Sequence, residues 1–218
     1  MSDYDVIVVG AGNAALAAAN AARQDGADRV LVLEKAPEED RGGNTHYSGG
    51  LLRIAFNSGE DLRPLIADAE ETVDGFFFED VPSYTEDEFM ADLMRVTAGK
   101  TDQTLARILI GQSYNTIRWM HEYGGIPMEP AISLSAIRVG NRVKWQKGAI
   151  VRALHEGVGL SKSWFEKCLS NSIEVRYKSA VTALVQDQHG AVIGVKVSNG
   201  ETVEEIKAGA VVLGCGGF

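Results

Sequence analysis

Two hydrophobic periods alternate along the chain. "YDVIVVG", residues 4–10, is a short, β-branched and almost wholly apolar run that stops at Gly10. Such a run predicts a strand buried on both faces of a parallel sheet. "NAALAAANAARQDG" is alanine-rich and stops at Gly26, which predicts a helix. "DRVLVLEK" repeats the buried-strand pattern, and the three segments make a βαβ unit. "RGGNTHYSGG", residues 41–50, is a glycine-rich loop. From about residue 60 to 130 the period becomes helical. "TEDEFMADLMRVTAG" opens with Thr85 and Glu88 at capping-box spacing and closes at Gly99. The next segment sets Leu105, Ile108, Leu109 and Met120 on helical spacing and closes at Gly124 and Gly125. Another helical stretch runs from about 148 to 170. The strand pattern then returns in "IEVRY", "AVTALVQD", "AVIGVKVS" and "ETVEEIKAG", broken by "QHG" and "SNG" turns. "AVVLGCGG" reads as a final strand, whose apolar run calls for burial on both faces.

This order predicts an α/β fold: a Rossmann-type parallel sheet with an antiparallel β meander and a helical insertion. The reading takes residues 1–218 as one domain, with the helical segment 60–130 inside it. Composition adds exclusions. The 218 residues are 45% hydrophobic and 23% charged, ordinary for a folded chain, and the net charge of -9 opposes nucleic-acid binding. No stretch is long and apolar enough to span a membrane. The N-terminus carries acids where a signal peptide carries Lys or Arg, so a cytoplasmic protein is expected. Cys168 and Cys215 form no CxxC pattern and read as reduced, mostly buried thiols. The four histidines are scattered, and no metal site is indicated.

The chemistry concentrates near the N-terminus. Gly10-Ala11-Gly12-Asn13-Ala14-Ala15 fits G-x-G-x-x-A between a strand and a helix. Gly10 permits the tight turn, Gly12 lets the backbone approach a pyrophosphate, and Ala15 lets the helix pack closely. The helix N-terminus offers unpaired N–H groups and its positive dipole end to phosphates. Glu34 lies 22 residues past Gly12, at the end of the second strand, where an acid binds ribose hydroxyls and repels a 2′-phosphate. The competing reading is a glycine turn in an unrelated α/β protein, with an exposed Glu34. The fingerprint leaves NAD and FAD open. Two further glycine-rich sites, "RGGN…SGG" and "GCGG", favour a long cofactor.

"DVIVVGAGNAALAAA", "VLEKAPEEDRGGNTHYSGG", "GAVIGVKV" and "AVVLGCGGF" resemble the flavoprotein subunits of the fumarate reductase and succinate dehydrogenase superfamily. "GAGNAALAAANAA" followed by "RGGNTHYSGGLLR" resembles its soluble tricarballylate dehydrogenase branch. The resemblance implies a glutathione-reductase-like FAD-binding domain and assigns roles. Gly10, Gly12, Asn13 and Ala14 would border the pyrophosphate. Glu34 would take the adenosine ribose, with Lys35 beside it. Gly42, Gly43, Asn44 and Thr45 would wrap the phosphates and approach the flavin, and Gly49 and Gly50 would run along the isoalloxazine. Val181 would meet adenine through its backbone, and Cys215 and Gly216 would close over the dinucleotide. Covalent relatives carry a His directly before the Thr. Here Asn44 precedes Thr45 and His46 follows it, so non-covalent FAD is expected.

The resemblance further implies that the chain is an N-terminal fragment. A substrate-capping domain and a returning segment would carry the catalytic His and Arg groups, so no catalytic residue is assigned, and the 218 residues alone would be inactive. The parent would oxidise or reduce a carbon–carbon bond of a small polycarboxylate such as tricarballylate, fumarate or succinate, with room for an electron-transfer partner. The rival readings are a ketosteroid dehydrogenase-like flavoprotein and a stand-alone FAD-binding module without catalysis.

Overall fold

The computed structural model describes residues 2–148 and 151–217. They divide into two compact units, Met1–Ser48 with Gly157–Phe218, and Gly49–Glu156. The helical segment read at 60–130 lies within the second unit.

The first unit opens with strand β1 (Tyr4–Val9), helix α1 (Asn13–Gln24) and strand β2 (Val30–Leu33). Every residue of β2 is buried, as an apolar run in a covered parallel sheet requires. Alanines let α1 lie close, and Ala15, Leu16 and Ala19 form its buried face. A single helical turn, α2 (Gly43–His46), follows.

The second unit contains β3 (Leu51–Leu52), α3 (Ala69–Thr72), α4 (Glu86–Val96), α5 (Gln103–Glu122), β4 (Met128–Pro130), α6 (Ile132–Ser135), β5 (Ala136–Val139), β6 (Arg142–Trp145) and β7 (Val151–Ala153). Strands β3, β7 and β4 form one antiparallel sheet, and β5 with β6 a hairpin. The predicted capping box starts α4. Thr85 Oγ1 accepts the Glu88 N–H, and Glu88 accepts the Thr85 N–H. The apolar face of α5 is a correction. Leu105, Ile108 and Leu109 are 65%, 60% and 59% exposed, whereas Ala106, Ile110, Ser113, Ile117 and Met120 are buried. The small side chains at 106 and 113 allow close approach. Ser113 stays satisfied there by donating to Ile110 O and accepting the Ala55 N–H.

The chain returns to the first unit in α7 (Glu156–Ser170), then β8 (Glu174–Arg176), β9 (Ala180–Gln186), β10 (Val192–Ser198) and β11 (Val203–Leu213). The helical stretch read from 148 begins later, because Val151–Ala153 is strand; Ala149 and Ile150 lie outside the described residues. The six strands follow the order β8-β2-β1-β11-β10-β9. This is the predicted α/β fold with its parallel sheet and meander. "ETVEEIKAG" and "AVVLGCGG", read as two strands, are one. Residues 203–207 of β11 pair antiparallel with β10, and residues 208–213 pair parallel with β1. Ile7, Val9, Leu31, Leu33 and Ala208 of the parallel strands share a core with Val195, Val197 and Ile206 of the meander. The last residues of β11 are not covered on both faces. Helix α1 packs over β1 and β2 and meets the end of β11 at Gly214, which leaves Val212 36% and Leu213 61% exposed. Phe218 lies outside the described residues.

A polar seam ties α1 to α7. The buried Asn20 donates through Nδ2 to Leu16 O and to Cys168 Sγ, and accepts from Asn171 Nδ2. A buried amide in an alanine-rich helix needs such partners.

Candidate functional site

The βαβ unit, the 43–45 turn and the end of β11 enclose a cleft of about 610 Å³ within the first unit. It lies at the carboxyl ends of parallel strands β1, β2 and β11, the usual ligand position in open α/β sheets. Three backbones converge at its floor. Gly10 has φ +97°, and a Cβ there would stand 2.8 Å from Cys215 Cα and 2.8 Å from Gly214 O. A Cβ on Gly214 would stand 2.7 Å from Ala15 Cβ. Only glycine at both positions lets the first turn of α1 sit against the ends of β1 and β11.

Gly12 is the N-cap of α1 and brings no side-chain cap. Thr45 supplies one from the neighbouring turn, its Oγ1 accepting the Asn13 N–H at 2.9 Å. Asn13 Oδ1 accepts the indole N–H of Trp164 at 2.7 Å. Glu34 is buried at the rim. Its Oε1 accepts the Ala36 N–H at 2.9 Å, and no described residue donates to Oε2. Its backbone is held on both sides, donating to Arg176 O and accepting from the Ser179 N–H. The N-terminus of α1 and one buried carboxylate thus line the same cleft.

Of the sequence-derived residues, Gly10, Gly12, Asn13, Ala14, Glu34, Lys35, Gly43, Asn44, Thr45, Val181, Cys215 and Gly216 line this one cleft. Gly42, Gly49 and Gly50 are not among its lining. Gly42 has φ +98°, and a Cβ there would meet Ser161 Oγ at 2.4 Å. Gly49 and Gly50 belong to the second unit, where a Cβ on Gly50 would meet the Glu156 backbone at 2.7 Å. His46 lines a separate cavity of about 270 Å³ with Arg41, Ser161, Lys162 and Phe165. Among the described residues no cluster of His, Cys, Asp or Glu could hold a metal ion, and no helix is long and apolar enough to cross a membrane. Sequence reasoning missed Ser179, Gly214 and Gly217 in the lining and Trp164 behind it. Gly214 and Gly217 belong to the glycine-rich "GCGG", but no local pattern marks Ser179 or Trp164.

The two thiols separate rather than being buried together: Cys168 is buried and Cys215 is exposed in the cleft. Burial pushes the Cys168 thiol up to about 11, against a weaker opposing hydrogen bond from Asn20. Since the thiolate is the nucleophile, Cys168 carries about one part in a thousand of it at pH 8. Iodoacetamide should therefore modify Cys215 alone in the native protein, and Cys168 only after unfolding. Mass spectrometry showing Cys168 modified first would contradict this assignment.

The pattern of the FAD binding domain family matches residues 5–218. Urocanate reductase of Eggerthella lenta is 30% identical, in a match covering 100% of this chain and 32% of that protein. Fumarate reductase (cytochrome) of Shewanella frigidimarina is 26% identical over 98% of this chain and 33% of that protein. In fold, the chain is similar to 3-ketosteroid delta1-dehydrogenase from Sterolibacterium denitrificans. The TM-score is 0.73 at 16% identity, over 99% of this chain and 48% of that one. The chain spans about a third of the length of the curated relatives it matches.

Proposed function

The chain belongs to the FAD binding domain family and its cofactor is FAD, and from that premise we propose that the cleft between α1, the 43–45 turn and β11 is the FAD site. The carrying observation is that the N-terminus of α1, whose N-cap Gly12 brings no side chain of its own, and the buried Glu34 line the same cleft of about 610 Å³. The residues present fit the cofactor. Gly43, Gly216 and Gly217 line the cleft, and a Cβ on any of them would point into open space, so glycine keeps that volume for a ligand. Gly10, Gly12, Asn13 and Ala14 border the pyrophosphate, and α1 presents its positive dipole end. Gly43, Asn44 and Thr45 face it from the second turn. Glu34 accepts from the ribose hydroxyls through its open Oε2, with Lys35 beside it. The Val181 backbone meets adenine, and Cys215 and Gly216 close over the dinucleotide, so FAD should slow alkylation of Cys215. Asn44 stands before Thr45 in the cleft lining while His46 lines a different cavity, which supports non-covalent attachment.

When bound, FAD supplies the two-electron redox chemistry. This chain's residues supply binding, orientation and a fixed electrostatic surround. For the whole protein we infer oxidoreduction at a carbon–carbon bond of a small polycarboxylate, of the tricarballylate, fumarate or succinate kind. The curated relatives named for urocanate and fumarate reduction support a small unsaturated carboxylate, and fumarate, with its two carboxylates, supports the polycarboxylate part.

Two assays test the two parts. Acid precipitation of the protein should release FAD into the supernatant. In a separate sample of the whole native protein, artificial electron donors and acceptors should drive turnover of fumarate or tricarballylate. Flavin retained on the denatured polypeptide overturns the non-covalent reading, and turnover confined to a 3-ketosteroid overturns the polycarboxylate reading.

A further inference from the structure

We propose that Trp164 is a positioning residue of the FAD site: its indole N–H orients the Asn13 amide so that Nδ2, not Oδ1, faces the pyrophosphate. The proposal rests on the reading that FAD lies at the N-terminus of α1.

Trp164 is fully buried on α7 and donates its indole N–H to Asn13 Oδ1 at 2.7 Å. An indole N–H can only donate, so the Asn13 atom facing it must be the oxygen. This removes the ambiguity that normally attends an amide's orientation. The Asn13 backbone N–H is already taken by Thr45 Oγ1. No described residue accepts from Asn13 Nδ2, and Asn13 lines the cleft. Its amide therefore offers two donors there and withholds its acceptor. A pyrophosphate is anionic and accepts only, so it is complementary to that edge and opposed by the reverse one.

The orientation is anchored further along the same helix pair. Cys168 follows Trp164 at i+4 on α7, and Asn171, the first residue past its end, follows at i+7; both contact Asn20, which follows Asn13 at i+7 on α1. These spacings put each set on one helix face. The Asn20 contacts fix how the two helices face each other, and Trp164 carries that register to the cofactor end. A phenylalanine would fill much of the volume but supply no N–H.

FAD titrations of the full protein in a double-substitution cycle test this. Trp164→Phe and Asn13→Ala should each raise the FAD Kd about tenfold, the scale of one hydrogen bond. The double variant should bind no more weakly than Asn13→Ala alone. Asn13→Asp keeps the bond to Trp164 but turns a charged oxygen to the phosphates, and should raise Kd about a hundredfold or more. If Trp164→Phe weakens binding by the same factor with or without Asn13, Trp164 acts through packing and the proposal is overturned. If neither Asn13 variant alters Kd, the cofactor is not at α1, and the site reading falls together with the proposal. Should Trp164→Phe not fold, protein labelled with 15N-tryptophan gives the answer. Asn13→Ala should shift one indole N–H signal and speed its hydrogen exchange, and no responding indole would overturn the hydrogen bond itself.

Discussion

Alanine in place of Gly10 is expected to destabilise the protein by several kcal/mol and to weaken FAD binding at least a hundredfold. Two costs combine. At φ +97° a side chain adopts a sparsely populated backbone conformation, which costs about 1–3 kcal/mol. Its Cβ would also stand 2.8 Å from backbone atoms of Gly214 and Cys215, which cannot rotate away as a flexible side chain can. Relief requires the end of β1 to part from the end of β11, and both ends line the cleft. Gly26→Ala is the control. Gly26 has φ +101°, and a Cβ there would meet nothing within 4 Å, so the variant carries the strain without the collision. It should lower Tm while leaving FAD affinity unchanged. Thermal unfolding and FAD titration of both variants decide the matter. Gly10→Ala protein binding FAD within threefold of the unsubstituted protein would show that close backbone approach is not required.

Glu34→Ala should weaken FAD binding by about 1.5–3 kcal/mol for each charge-assisted hydrogen bond lost. With two ribose hydroxyls in reach, the total exceeds a hundredfold in Kd. The fold should survive. Glu34 sits at the end of β2, and the substitution removes only its one side-chain bond within the protein, from the Ala36 N–H, worth roughly 1–3 kcal/mol, while its backbone bonds to Arg176 and Ser179 remain. Glu34→Gln keeps an oxygen for Ala36 and loses the charge, so it should fall between. Calorimetric titration reads all three proteins. Equal FAD affinity for Glu34→Ala and the unsubstituted protein would remove Glu34 from the site.

The βαβ unit and most of the cleft were legible because their signals are local. Gly10, Gly12 and Glu34 lie within one supersecondary unit, where spacing along the chain translates directly into position. The continuous β11 was not legible, because Gly209 looks like a break. In the sheet it is a place of close approach, where a Cβ would come within 3.0 Å of Asp5 O, so glycine allows the strand to continue. The buried face of α5 was misread because Leu105, Ile108 and Leu109 are as periodic as the residues that pack. Neighbouring positions on a helix differ by 100° in direction, and only the surrounding structure selects the phase. Trp164 could not be found at all. Its bond to Asn13 joins residues 151 apart, and nothing near either residue announces it.

The position of β1 between β2 and β11 sets an order of events on the ribosome. One edge of β1 can close as soon as residues 30–33 have emerged. The other waits for residues 208–213, and the bond that fastens its foot, from the Lys207 N–H to the Asp3 carboxylate, spans 204 positions. At ordinary elongation rates that edge stays open for roughly 10–40 s. During this interval the apolar run Val6–Val9 presents unpaired backbone groups to any other nascent chain, the condition under which strand edges aggregate. Slowed translation between residues 34 and 207 should therefore lower the yield of folded protein, although no contact of the finished molecule changes.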